Sequence, residues 1–182
     1  MADELGAWAP LSLSEVAEIF AGLRAPWWIA GGWAIDLFVG APTRPHDDVD
    51  VQILRDDQLT VRTALAGWDL HAADPPGTLR PWRTDEILPP QVQDVWCRPG
   101  PAAPWALQLL LADTDGDRWV FRRDRRVSRP LATLTRRSPA GWPYVAPEIQ
   151  LLYKARATPR PQDEHDFAVA RPLLGAEARA WL

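Results

Sequence analysis

The sequence predicts an α/β (α+β) fold in which a mixed, twisted sheet is flanked by helices, with a small helical part at the C-terminus. Three observations predict this fold. Residues 27–54 have the pattern of a strand, a Gly-Gly turn, a helix, a short loop and a second strand. Two further strand-like runs, at 91–98 and 105–112, are followed by an Asp-Gly hairpin turn at 115–116. A proline at position 147 then begins a C-terminal helix with an apolar face.

The other elements follow from local signals. Ser12 and Glu15 form a capping box, which predicts that the first helix begins there. The segment 56–67 is expected to form a helix, and 68–73 a strand. The stretch 74–90 is rich in Pro, Asp, Arg and Thr, so we expect a long surface loop of the kind that often contacts a substrate.

The composition excludes several classes of protein. Of the 182 residues, 47% are hydrophobic and 24% are charged, which is typical of a soluble globular domain. The net charge of −4 argues against a general nucleic-acid-binding protein, which would be basic. Cys97 is the only cysteine, so an internal disulfide and a cysteine-based metal site are excluded. We see neither a signal peptide nor an apolar run long enough to cross a membrane, and therefore expect a cytoplasmic protein without a membrane partner.

Two carboxylates are predicted to share one face at the start of the second strand. In the run Asp48-Val49-Asp50-Val51, successive side chains point to opposite faces, so Asp48 and Asp50 point the same way. Neighbouring carboxylates repel each other unless a cation lies between them. Mg²⁺ binds one or two carboxylates together with phosphate oxygens and water. The pair is therefore a candidate metal site, although an Asp-x-Asp pair alone is more often a solvated strand end.

Gly31 and Gly32 lie between the first strand and the helix that follows it. Glycines at such a point allow a tight turn and a close approach of the backbone, and the N–H groups of the helix N-terminus can bind an anion. A Gly-Gly pair alone is more often a simple turn. Combined with the Asp-x-Asp pair, it predicts that phosphate donors and metal ligands lie in one structural unit.

Two basic residues lie in the loop before the acidic pair. Arg44 carries a planar guanidinium suited to phosphate oxygens, and it precedes Asp48 by four residues. His46 has two interpretations: it either hydrogen-bonds the backbone and fixes the entrance of the strand, or it lies near a bound nucleotide.

A run of arginines follows the predicted hairpin. Residues 118–137 contain eight arginines. Charged side chains on an edge strand deter pairing with other chains, which is one interpretation of the run. The other is that one or two of these arginines contact a triphosphate.

The run GGWAIDLFVGAPTRPHDDVDV resembles the signature of the nucleotidyltransferase (polymerase-beta-like) superfamily, and more narrowly that of the aminoglycoside and lincosamide nucleotidyltransferases. Those enzymes open with G-G-W-[AG]-x-D and close with R-x-H-x-D-[IV]-D. The resemblance implies transfer of a nucleoside monophosphate from a nucleoside triphosphate to a hydroxyl, with two Mg²⁺ ions and loss of pyrophosphate. It also implies a nucleotidyltransferase-like core over 1–137, a C-terminal helical segment over 138–182 packed on that core, and a phosphate contact for Arg44.

A second match lies in the predicted C-terminal helix. The run PEIQLLYKA resembles the P-E-x-x-L-x-Y-K-A pattern of the same enzymes, which implies that Lys154, the only lysine of the chain, reaches the nucleotide phosphates. Gln162 stands where the R-x-K-D-x-x-D-F pattern of the group has a lysine. Asp163 and Asp166 lie one turn apart at a helix start, where we expect them to cap the helix.

The resemblance also implies a third carboxylate, on a strand beside the Asp-x-Asp strand, that acts as metal ligand and as general base toward the attacking hydroxyl. Gln108 occupies the expected place. An amide cannot take a proton from an alcohol and is a poorer Mg²⁺ ligand than a carboxylate. Either another acid replaces it, with Asp94 favoured over Asp113, or transfer is slow or lost.

The sequence thus predicts an enzyme that uses ATP and Mg²⁺ to adenylylate a hydroxyl of a small molecule, with an aminoglycoside, a lincosamide or an unrelated alcohol as acceptor. Two alternatives stay open: a catalytically weak or inactive nucleotide-binding protein of the same fold, and an enzyme that places AMP on a protein side chain. The expected metal ligands are Asp48 and Asp50, the expected base is Asp94, and the expected nucleotide contacts are Gly31, Gly32, Arg44, His46 and Lys154.

Overall fold

The computed structural model describes residues 5–182, which form a mixed β-sheet with helices packed against it. The strands are β1 (Trp27–Ile29), β2 (Asp50–Leu54), β3 (Asp69–Ala72), β4 (Arg80–Pro81), β5 (Asp94–Arg98), β6 (Leu107–Asp115), β7 (Arg118–Val120), β8 (Ser128–Pro130), β9 (Thr135–Arg137) and β10 (Pro143–Val145). Their order is β4-β3-β5-β6-β2-β1-β10-β9, and β7 and β8 continue from the far end of β6. The pairs β1–β10 and β2–β6 are parallel, and the other pairs are antiparallel. The predicted mixed sheet flanked by helices is confirmed.

The helices follow the predicted order along the chain. In the described part of the chain the α-helices are α1 (Leu13–Phe20), α2 (Gly31–Val39), α3 (Gln58–Ala64), α4 (Pro147–Lys154), α5 (Pro161–Ala170) and α6 (Ala176–Trp181). The capping box predicted for α1 is confirmed, because the Ser12 hydroxyl accepts from the Glu15 N–H while the Glu15 carboxylate accepts from the Ser12 N–H. Within residues 5–182 no helix has the length and apolar character that crossing a membrane requires.

The middle of the chain differs in detail from the prediction. The helix expected over 56–67 is shorter, because a 3₁₀ turn at Arg55–Asp57 precedes α3. The strand expected over 68–73 is β3. Within the predicted loop 74–90, two residues pair with β3 as the short strand β4.

β2 separates the main hydrophobic core from a polar face of the sheet. Val51 and Ile53 are completely buried in the core cluster that also contains residues of α1 and α3. Asp50 and Gln52 alternate with Val51 and Ile53 along β2, so they point to the opposite face. Asp48 lies two residues before β2 begins and lines the same cleft as Asp50, which agrees with the prediction that the two aspartates point the same way. A second apolar cluster covers the rest of that opposite face and includes Trp28, Leu54, Leu110, Trp119, Phe121, Ile149 and Tyr153.

The segment after residue 137 contributes to the sheet as well as to the helices. β10 lies between β1 and β9 and is parallel to β1. α4 begins directly after β10, and α2 packs against both α4 and α5. The division at 137/138 stays a prediction. The placement of β10 carries the C-terminal helices to the start of α2, where the candidate site lies.

Candidate active site

The turn from β1 into α2 is built around the contact between Gly31 and Asp50. Gly31 has a φ of 64°, in the left-handed region that favours glycine. A Cβ at this position would overlap the Asp50 carboxylate. The Gly31 N–H donates a hydrogen bond of 3.0 Å to Oε1 of Gln150 on α4. The absence of a side chain therefore lets Asp50 approach the start of α2, while the N–H predicted to bind phosphate is bound to Gln150.

Gly32 makes room for a different pair of side chains. A Cβ there would overlap Arg44 and His46, whose Nη1 and Nδ1 atoms are 3.1 Å apart. The His46 ring also packs on Trp33, with 4.4 Å between ring centroids, and its Nε2 lies 2.6 Å from Oδ2 of Asp36. Arg44 and His46 therefore pack against the start of α2.

Residues of α2 also hold the loop that leads into β2. Trp33 Nε1 donates to the carbonyl oxygen of Asp48 at 3.1 Å. The buried carboxylate of Asp36 accepts from the N–H and the hydroxyl of Thr43, at 3.1 and 2.6 Å. The tryptophan and the aspartate of the G-G-W-A-I-D run thus fix both ends of the loop and with it the position of Asp48.

The guanidinium group of Arg44 belongs to a buried network of ion pairs. Its Nε and Nη2 donate to the two oxygens of Asp166 at 2.9 and 3.0 Å, and Lys154 Nζ lies 2.7 Å from Oδ2 of the same carboxylate. Burial alone would raise the pKa of Asp166, but the hydrogen bonds from Arg44 and Lys154 outweigh it and lower the pKa. Asp166, which we expected to cap α5, instead joins the loop before β2 to α4.

A polar cleft lies beside these groups and brings most of the predicted site residues together. Its volume is about 220 Å³. Small-molecule sites commonly measure about 300–1,000 Å³, so the cleft encloses part of a ligand and leaves the rest outside. Among the predicted residues, Gly31, Asp48, Asp50, Asp94 and Lys154 line it, whereas Gly32, Arg44 and His46 do not. The other lining residues are Gln52, Gln93, Gln108, Leu110, Leu111, Arg122, Gln150, Tyr153, Arg156 and Arg160.

Asp50 is the most perturbed carboxyl group of the polar cleft. Burial raises the pKa of Asp50 to about 7; the negative charge of Asp48 adds to this effect, and the positive charge of Lys154 opposes it. Asp94 makes a smaller contribution in the same direction as Asp48. The cleft therefore contains a carboxylate pair whose mutual repulsion a bound cation would relieve.

The donor set fits a Mg²⁺ ion that is shared with a ligand. Between residues 5 and 182 no three His, Cys, Asp or Glu side chains lie close enough to enclose a metal by themselves. Mg²⁺ does not need such an enclosure, because it is commonly held by one or two carboxylates, substrate phosphates and water. Asp48 and Asp50 match that requirement.

The register of the sheet locates the position of the expected third carboxylate. Gln108 on β6 is directly opposite Asp50 on β2, and it lines the polar cleft. Asp94 on β5 is paired with Leu110 and lines the same cleft. Burial raises the pKa of Asp94, while the charge of Arg122 opposes the rise. The amide of Gln108 is thus the neighbour of Asp50 on β6, and the acid Asp94 lies one strand further away, on β5.

Asp113 serves a different purpose. Its Oδ1 lies 2.5 Å from Nε of Arg55, and the Arg55 guanidinium also donates to the carbonyl oxygen of Val92 at 2.9 Å. These contacts tie β6 to the segment that leads into β5. Of the two acids that could replace a carboxylate at position 108, the structure brings Asp94 to the cleft.

Several residues of the cleft were not singled out from the sequence. Strand alternation does place Gln52 on the face of Asp50, and helical spacing places Gln150 one turn before Lys154. Neither residue type carries a chemical signature of its own, however. Arg156 lies in the loop that follows α4, where no pattern distinguishes it. Arg160 ends that loop and is the first residue of the R-x-K-D-x-x-D-F pattern, but no role was assigned to it.

Comparison with known proteins agrees with the motif. Residues 12–74 match the family model of the aminoglycoside-2''-adenylyltransferases. The match covers about a third of the chain and includes the Gly-Gly turn, the loop before β2 and the Asp-x-Asp pair. No curated protein matches the chain. The resemblance to the nucleotidyltransferases is confirmed.

Solved structures share the fold over most of the chain. The lincosamide antibiotic adenylyltransferase LnuA, crystallised with lincomycin, has a TM-score of 0.61 at 14% identity, covering 91% of this chain and 100% of its own. The solution structure of the antibiotic-resistance factor ANT(2'')-Ia has a TM-score of 0.58 at 17% identity, covering 92% and 87%. The crystal structure of ANT(2'')-Ia with adenylyl-2''-tobramycin has a TM-score of 0.55 at 18% identity, covering 92% of both chains. At such identities the likeness establishes the fold.

We expect Gly31→Ala to disable the site by displacing Asp50. An alanine in the left-handed region costs about 1–2 kcal/mol of unfolding free energy, and its Cβ would overlap the Asp50 carboxylate. Gly40→Ala is the matched control, because Gly40 has a φ of 90° but open space around it. Urea unfolding should show a larger loss of unfolding free energy in Gly31→Ala than in Gly40→Ala, because only Gly31→Ala also forces the Asp50 carboxylate to move. Equal losses in the two variants would contradict this account.

Asp166→Asn should make stability at neutral pH fall sharply. The change leaves Arg44 and Lys154 without their shared carboxylate, which costs about 3–5 kcal/mol for a buried pair. Because the pKa of Asp166 is lowered in the folded state, its contribution is present above the unfolded pKa of about 3.9 and is lost as the pH falls through the folded value. Urea unfolding should therefore show a large difference from wild type at pH 7 that shrinks below about pH 4.

Asp124→Asn is the control for that experiment, because Asp124 pairs with the exposed Arg126 at the surface. It should change stability little at either pH. A difference between Asp166→Asn and wild type that does not depend on pH would argue against the ion network as its source.

Proposed function

We propose that this chain, whose fold is that of the antibiotic nucleotidyltransferases, transfers AMP from ATP to a hydroxyl group of a small molecule in a reaction that requires Mg²⁺. The observation that carries the proposal is the convergence of Asp48, Asp50 and Lys154 in one cleft, where the pKa of Asp50 is raised to about 7. Two close carboxylates that repel each other are stabilised by a divalent cation between them, and a basic side chain such as Lys154 beside them can bind phosphate oxygens. The names of LnuA and ANT(2'')-Ia support an antibiotic as the acceptor.

The triphosphate is assigned to the side of the cleft formed by α4, α5 and the loop between them. Lys154, Arg156 and Arg160 line this side. The two arginines are about half exposed and contact Asp163 at 3.8 and 2.9 Å, so they can turn toward an entering anion. Mg²⁺ bound by Asp48 and Asp50 would neutralise phosphate charge and orient the α-phosphate.

The remaining predicted nucleotide residues act indirectly in this proposal. Because Gly31 has no side chain, there is room for the Asp50 carboxylate, and Gly32 in the same way leaves room for Arg44 and His46. Arg44 orients Asp166, and Asp166 in turn holds Lys154 at the cleft. In this proposal the Gly-Gly turn and the loop before β2 position the groups that bind the nucleotide. Arg44 and His46, the basic residues of that loop, contact other protein groups instead of the nucleotide.

Asp94 is the proposed general base. The acceptor oxygen would attack the α-phosphorus and form a new P–O bond, the bond to the β-phosphate oxygen would break, and pyrophosphate would leave. The hydroxyl proton would go to Asp94. Burial raises the pKa of Asp94, and a base works best when its pKa approaches the working pH.

One observation favours a second candidate, a protein that binds the nucleotide without transferring it. Gln108 lies opposite Asp50, where a carboxylate would hold a metal ion and accept the proton. In that case ATP and Mg²⁺ would bind, but no acceptor would release pyrophosphate.

Asp48→Asn should abolish Mg²⁺-dependent binding of ATP, measured by isothermal titration calorimetry with an EDTA control. The amide removes one of the two charges that hold the metal. Asp47→Asn is the matched control, because Asp47 is the exposed neighbour and does not line the cleft, and it should bind ATP like the wild type. If the wild type binds no ATP, or if Asp48→Asn binds it normally, the proposed nucleotide site is wrong.

Asp94→Asn should lower acceptor-dependent pyrophosphate release by about 10²–10⁴-fold, because it removes the base, and should leave the Kd of ATP unchanged. Asp113→Asn should leave the rate unchanged and lower the unfolding free energy by about 1–3 kcal/mol, because it removes the partner of Arg55. Pyrophosphate release and urea unfolding measured on both variants separate the two roles. The reverse pattern would identify Asp113 as the base.

A further inference from the structure

Gln52 has a buried side-chain amide whose nitrogen lacks a hydrogen-bond partner among residues 5–182. Its side chain lines the polar cleft and is 3% exposed. Nε2 makes no hydrogen bond to any group of the described chain, residues 5–182. A buried amide without a partner lowers stability, and an apolar side chain of similar size would avoid that loss. Because Gln52 lines the cleft, a ligand that enters the cleft could supply the missing acceptor.

The sheet register places this donor on the side of the cleft that contains the proposed base. Gln52 and Asp94 are both paired with Leu110, one from each side. Because neighbouring strands are about 4.8 Å apart, Gln52 and Asp94 flank Leu110 at a separation of roughly 10 Å. A molecule whose hydroxyl meets Asp94 would therefore extend over Leu110 toward Gln52.

The charges of the cleft offer nothing to an acceptor with several ammonium groups. Within the described chain, the acidic lining residues are Asp48, Asp50 and Asp94, all of which the proposed reaction uses. The charge of Arg122 opposes the rise that burial causes in the pKa of Asp94, so the acceptor side also contains a positive charge. A polycation would meet Arg122 without a compensating carboxylate, which costs affinity.

We propose that the acceptor is an uncharged, oxygen-rich molecule and that Gln52 Nε2 binds one of its oxygens. This inference rests on the proposed transfer of AMP and specifies its substrate class. Gln108 supplies a second neutral amide at the cleft, and Leu110 between Gln52 and Asp94 provides an apolar contact surface. Hydroxyl, ether and carbonyl oxygens match these amides without the need for acidic partners.

The test uses compounds that differ in charge but not in their hydroxyl groups. Tobramycin and kanamycin are each compared with their fully N-acetylated forms, by acceptor-dependent pyrophosphate release, while calorimetry measures the binding of ATP with Mg²⁺. The wild type should use at least one neutral form with kcat/KM at least tenfold above that of its parent amine. Gln52→Leu should raise the KM for that neutral compound at least tenfold, with an unchanged Kd for ATP and an unchanged or higher Tm.

A second variant keeps the test independent of the folding of Gln52→Leu. Arg122→Glu changes an exposed side chain, and it should raise the relative use of the amine-bearing compounds at least fivefold. Preference of the wild type for the amines, an unchanged KM in Gln52→Leu, or no release with any neutral compound while ATP still binds would overturn the inference. Failure of the wild type to bind ATP would instead overturn the proposed function itself.

Discussion

The site depends on how closely the start of α2 approaches the acidic end of β2. At position 31 a side chain and the Asp50 carboxylate cannot occupy the same space, and the backbone there is left-handed, so glycine satisfies both constraints at once. The contact places Asp50 against the start of α2, and burial together with the charge of Asp48 raises the pKa of Asp50. Three basic residues, Lys154, Arg156 and Arg160, line the same cleft as the two carboxylates. The charges of Lys154 and Arg160 do not cancel the effects of burial and of Asp48 on Asp50, because the pKa of Asp50 stays raised.

A second constraint joins distant parts of the chain. Arg44, Asp166 and Lys154 form one buried network, although Arg44 and Asp166 are 122 positions apart. Charged groups lose hydration on burial, so such a network adds little net stability compared with apolar packing. It does fix the place of Lys154 relative to Asp50, because Arg44 packs against the start of α2, where Gly32 leaves room for it. The main consequence of the network is therefore the accurate placement of Lys154 at the cleft rather than a gain in stability.

Local signals predicted much of the fold and the centre of the site. The Ser12 cap, the order of strands and helices, and the shared face of Asp48 and Asp50 follow from spacing of a few residues, and the structure has them. The partners of Arg44 and the choice between Asp94 and Asp113 depend on packing and register between distant segments, which no local pattern encodes. Gln52 lay on a predictable face, but only the packed structure shows that, within residues 5–182, its amide nitrogen has no hydrogen-bond partner.

The amide at position 108 and the position of Asp94 belong to one arrangement. A carboxylate opposite Asp50 would add a third negative charge to a pair in which the pKa of Asp50 is already raised to about 7. Gln108 removes that repulsion but cannot accept a proton, and in the proposed mechanism that role passes to Asp94, one strand further out. An acceptor that reaches Asp94 must then lie over Leu110, and the unpartnered amide of Gln52 is at the other side of that residue. If the acceptor lies there, as proposed, its position accounts both for Gln108 opposite Asp50 and for a buried Gln52 amide with no partner within residues 5–182.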